Sequence, residues 1–102
     1  MEIIKVMSEQ MQEELEDAEH YSRMALEWKD ECPEAADLFS KLSHDEVEHS
    51  DRLHDLAVRK IRQLRSEGRN PTQEMQGVYD YLHERYIKMA EKVADLQRLY
   101  NH

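Results

Sequence analysis

Residues 75–100 read MQGVYDYLHERYIKMAEKVADLQRLY. Within them Met75, Tyr79, Leu82, Tyr86, Met89, Val93, Leu96 and Tyr100 recur at alternating steps of four and three. That spacing puts eight side chains on one stripe of a long helix, the pattern of a coiled-coil-like seam. Glu84 and Glu91 fall opposite the stripe, where a packed helix meets water. The Tyr and Met residues of the segment therefore read as packing residues. Upstream lies Ser66-Glu67-Gly68-Arg69-Asn70-Pro71, a cluster of breakers. Gly68 suits a helix C-terminus, Asn70 an N-cap and Pro71 a first helical position. A second break stands at Cys32-Pro33. The expected helices span about 3–30, 34–66 and 71–100. Both connections are short, which favours antiparallel neighbours in an up-down-up order. The fold class is all-α and one domain overall, with a helical hairpin over residues 1–67 and a third helix over 68–102.

Composition agrees with that division. The 102 residues include only two glycines and two prolines, too few for a chain of short strands and turns. Charged residues make up 36% and apolar residues 39%, the balance of long amphipathic helices with solvated outer faces. A chain this short and polar is under-supplied with core, and a second copy can supply what is missing. The single cysteine permits no internal disulfide and fits a reducing, cytoplasmic setting. No apolar run approaches the roughly 18 residues of a membrane span. The opening MEIIKVMSEQ lacks the apolar core of a secretory leader, so no membrane role is expected.

The net charge of −9 is unevenly spread. Residues 1–55 carry 17 acids and 5 bases, whereas residues 56–102 carry 6 acids and 9 bases. The acidic half argues against nucleic acid, whose phosphates need basic surface. A basic run remains at Arg59, Lys60, Arg62, Arg65 and Arg69. It reads either as a solvated helix end complementing the helix dipole or as a surface for an anionic partner.

The first two helices carry similar stripes, each interrupted. The first reads Ile4, Met7, Met11, Glu14, Ala18, Tyr21, Ala25, Trp28; the second reads Ala35, Phe39, Leu42, Glu46, His49, Leu53, Leu56. Glu14, Glu46 and His49 occupy places otherwise held by apolar or small residues. An unpaired carboxylate in such a place costs several kcal/mol, roughly, so the three need a common partner. Measured from the turn near residue 32, all three lie at one level to within roughly 3–8 Å at 1.5 Å rise per residue. Glu46 and His49, at i and i+3, share a helix face. A metal ion held by two carboxylates and an imidazole is the simplest partner. The alternative is a buried polar cluster that sets helix register. Neighbouring Glu13, Glu16, Asp17, Asp45 and Glu48 read as a solvated face, or as an acidic path that concentrates cations. His20, His44, His54 and His83 read as surface or rim residues.

EELEDAEHY (Glu13–Tyr21) followed by DEVEH (Asp45–His49) resembles the ferritin-like di-iron carboxylate proteins, and the short encapsulated-ferritin type most closely. The resemblance covers residues 10–57. A full site in that superfamily takes a Glu from each of two helices and a Glu-x-x-His from each of two others. This chain has one of each, so the resemblance implies a two-fold homodimer that completes a four-helix bundle. Two irons per dimer would lie between Glu14, Glu46, His49 and their symmetry mates, with manganese or zinc as alternatives. Tyr21 would stand behind the metal ligands, two turns from Glu14. The implied activity is a ferroxidase that oxidises Fe(II) with oxygen or peroxide. The third helix lies outside the resemblance, and ADLQRLYNH does not resemble the Gly- and Leu-containing tail by which encapsulated ferritins enter an encapsulin shell. The reading from a different class is a non-catalytic helical homodimer whose third helix binds a partner by coiled-coil pairing. Glu14 separates the two, because a pure adapter needs no carboxylate facing Glu46 and His49.

Overall fold

The computed structural model describes residues 2–102. Three helices account for nearly all of them: α1 (Glu2–Trp28), α2 (Pro33–Ser66) and α3 (Gln73–Tyr100). Pro33 opens α2, where its missing N–H costs nothing. The α2 C-terminus closes in a Schellman motif. Gly68 adopts φ +74°, its N–H donates to the Arg65 carbonyl at 3.0 Å, and the Arg69 N–H donates to the Leu64 carbonyl at 2.8 Å. The start of α3 differs from the expectation. Its N-cap is Thr72, whose hydroxyl accepts the Met75 N–H at 3.2 Å, so Asn70 and Pro71 lie in the connection. A threonine hydroxyl three residues before a free N–H meets the capping need directly, and the helix begins there.

α1 packs closely along both partners, while the backbones of α2 and α3 stay farther apart and meet through side chains. Contacts along α3 fix the up-down-up order. Lys92 pairs with Glu19 at 3.0 Å, and Lys29 donates to the Tyr100 carbonyl at 2.6 Å while lying over its ring. Tyr86 reaches Asp51 and Tyr100 reaches Asp37, as antiparallel α2 and α3 require.

The α3 stripe matches the sequence reading: Val93 is buried, the other seven members are half-buried, and Glu84 and Glu91 are exposed. The α2 seam is shifted by one residue from that expected, whereas the α1 seam departs from it only in part. α1 buries Ile4, Met7, Met11, Ala18 and Ala25 as expected, together with Gln12, while Leu15 and Ser22 replace Glu14 and Tyr21 as innermost residues. α2 buries Ala36, Ser43, Ser50 and Ala57, four small residues at strict intervals of seven. Small side chains let the two backbones approach, and the serines turn that closeness into hydrogen bonds. Ser43 donates to the Ala18 carbonyl at 2.7 Å and Ser50 to the Met11 carbonyl at 3.3 Å, the same contact one heptad apart. With its one hydrogen committed, the Ser43 oxygen accepts from Ser22 at 2.6 Å and from Gln97 Nε2 at 3.0 Å. That oxygen thus ties all three helices together. Trp28, expected to pack near the helix end, is 40% exposed.

The molecule is a rod of 56 × 19 × 18 Å. It exposes 7001 Å², against about 6,100 Å² for a compact monomer of this mass. Ile3, Trp28, Leu38 and Leu56 contribute to the excess.

Candidate metal centre

The seam shift moves Glu14, Glu46 and His49 off the seam and onto its open shoulder. Glu14 and Glu46 are half-buried, with side chains 19% and 20% exposed, and His49 is 51% exposed. The expectation that all three are buried in the seam is therefore corrected. The reason is steric: the closest approach of α1 and α2 is reserved for Ala18, Ser43 and Ser50, and larger polar side chains are displaced to the edge.

The three side chains nonetheless converge. His49 Nδ1 lies 3.4 Å from Glu46 Oε1 and 3.7 Å from Glu14 Oε2. One ligand atom from each residue falls within 4.8 Å of the others. Gln10 donates to Glu14 Oε1 at 3.1 Å and steadies that carboxylate from its own helix. Among the described residues no other group of three acidic, His or Cys side chains converges in this way.

Two carboxylates facing each other cannot both hold full charge at low cost, so Glu14 and Glu46 share a hydrogen bond. Holding the shared proton pushes Glu46 up to about 7, and burial and the Glu14 charge add to the effect. Accepting that proton holds Glu14 below the usual carboxylate range, against an opposing effect of burial. The donor set suits a hard divalent cation, which would take the place of the shared proton and offset both carboxylates.

Tyr21 does not join the three. It lies half-buried on the same shoulder, two turns along α1, with its ring stacked on Phe39 at 6.5 Å and tilted against His20 at 6.1 Å. His20 and His44 are exposed, as expected. His83 is exposed too and His54 is half-buried, as expected of surface and rim residues, and both stack with Tyr86, His54 at 5.2 Å and 8° to the Tyr86 ring.

The surroundings of the three follow a rule the stripes had obscured. One heptad to either side of each ligand stands an apolar residue: Met7 and Tyr21 for Glu14, Phe39 and Leu53 for Glu46, Leu42 and Leu56 for His49. Of these, Met7 is buried in the core, whereas Tyr21, Phe39, Leu42 and Leu56 flank the group on the shoulder, with acids such as Asp17 beside it. Sequence reading missed the Ala36-Ser43-Ser50-Ala57 row that places this shoulder, although its seven-residue spacing was visible. Comparison with protein-family models, with curated proteins and with solved structures finds no match to this chain.

Proposed function

We propose that the chain is a ferritin-like metal-binding protein that oxidises Fe(II) in a homodimer. The observation that carries this reading is the convergence of Glu14, Glu46 and His49 within 4.8 Å on the open shoulder of the hairpin. Each chain would offer two carboxylates and one imidazole, half of a di-iron site. A second copy packed shoulder to shoulder would bring the other half and cover Leu42, Leu53, Leu56 and Trp28. Four carboxylates then balance two divalent ions. In the redox step each of two Fe(II) would give up one electron, and peroxide would take both together with two protons to leave as two waters. Glu14 and Glu46 would orient the ions, and Glu46 would hand over its proton as iron enters. His49 contributes a neutral donor at the more exposed edge. The acids of the first 55 residues would attract cations to the same shoulder.

Anaerobic Fe(II) titration, followed by peroxide or oxygen with mass measured in parallel, tests this reading. The expected result is one iron per chain, a dimeric mass, and Fe(III) formation on oxidant addition. A folded protein that takes up no Fe(II) would overturn it. A second reading, the non-catalytic helical module, draws on the exposed Val78, Tyr81, Ile87 and Leu99 of α3. It predicts a metal-free oligomer whose mass depends on those side chains.

A further inference from the structure

Because the backbones of α2 and α3 stay apart, a slot remains between the C-terminal half of α2 and the N-terminal half of α3. Its volume is about 400 Å³, within the range of small-molecule sites. α1 supplies the floor through Ile4 and Met11; Val58 and Ile61 of α2 and Tyr79 and Leu82 of α3 form apolar walls. The His54–His83–Tyr86 stack lies at one end. Arg62 and Arg65 stand at the other, exposed at the rim. They belong to the basic run that the metal site leaves unexplained.

Shape and charge together select an occupant. From His54 to Arg65 the slot runs about 16 Å along α2, a narrow apolar length that suits an extended alkyl chain. Arg62 and Arg65 against one acid, Asp80, leave the slot's lining net cationic in a chain of net charge −9. Neither Arg62 nor Arg65 has an ion-pair partner among the described residues. The acid lining the slot, Asp80, accepts a hydrogen bond from Gln76 at 2.9 Å. A planar guanidinium presents paired donors that match a carboxylate.

We propose that the slot between α2 and α3 binds a free alkyl carboxylate, with its chain on the apolar floor and its carboxylate between Arg62 and Arg65. This site shares no residue with the Glu14–Glu46–His49 group, so it stands whether or not that group binds iron.

Calorimetric titration of the full chain with decanoate, octanoate and 1-decanol tests the proposal. Decanoate is expected to saturate one site per chain. Octanoate, two methylenes shorter, should bind roughly tenfold more weakly. The double variant Arg62→Gln/Arg65→Gln should weaken decanoate at least tenfold and leave 1-decanol unchanged. Val58→Trp, which fills the slot from a half-buried position, should abolish both while helical circular dichroism persists. Absence of saturable decanoate binding would overturn the proposal. So would equal affinity for acid and alcohol in the parent chain, or decanoate binding retained in Val58→Trp. Sedimentation with phosphatidylglycerol vesicles without binding of free decanoate would assign the arginines to a membrane surface and overturn it equally. Fe(II) uptake in the same variants reports separately on the metal site.

Discussion

Glu46 is pushed up to about 7, so near neutral pH it is partly protonated where an isolated glutamate would be ionised, because Glu14 faces it across the hairpin. Two consequences of opposite sign follow. Without metal, the favourable term from Glu46 is complete below its ordinary value of 4.5 and is lost as pH rises through about 7. Glu14, whose folded value is lowered, contributes above its ordinary value and loses that contribution as pH falls through the lower one. Urea unfolding of the metal-free protein should therefore show stability declining from pH 5 to pH 8, and Glu46→Gln should flatten that decline. Metal affinity runs the other way, since a divalent ion must displace the shared proton. Fe(II) or Mn(II) affinity measured between pH 6 and 8 should rise with pH. Glu46→Ala and His49→Ala should each abolish stoichiometric metal binding while leaving the helical signal intact, because neither residue lies on the closely packed seam. Iron retained at one per chain in both variants would place the site elsewhere.

At the scale of the elements, the two glycines should respond in opposite directions. Gly68 adopts a left-handed conformation that closes α2, and no atom lies within 4 Å of a Cβ built on it. Gly68→Ala should cost about 1–2 kcal/mol through backbone strain alone. Gly77 lies exposed within α3, also with open space around it, and Gly77→Ala should stabilise by about 0.5–1 kcal/mol. Paired denaturation curves check both signs. Ser43 is the other position where an element depends on one atom. Ser43→Ala leaves the buried Ser22 hydroxyl and the Gln97 amide without their acceptor, at a cost of about 1–3 kcal/mol in the same measurement. The Gln97 link makes part of that loss a loosening of α3.

For the whole molecule, the surplus surface and the open shoulder point to a second copy. Leu42 is half-buried one heptad from His49, at the centre of the proposed contact. Leu42→Glu should convert a dimer into a monomer by light scattering. It should also lower iron stoichiometry, because each chain would then retain only three ligands. A dimeric mass with full iron content in this variant would show that the shoulder is not the interface.

Periodicity and breakers made the three helices, their order and the α3 stripe legible from the chain alone, because those features depend on local conformational preference and on which residues tolerate water. The pairing of Glu14 with Glu46 and His49 was also legible, since helix rise and the position of one turn determine which levels meet. Rotation about the helix axis was not. Large apolar residues such as Phe39 and Leu42 outweigh Ser43 and Ser50 in any hydrophobic stripe, yet the small residues sit innermost because close backbone approach favours them. Tertiary packing alone set that one-residue rotation, and with it the exposure of the three polar ligands and the slot beside Arg62 and Arg65. A single helix specifies which residues share a face; only the shape of its neighbour decides which part of that face is closest.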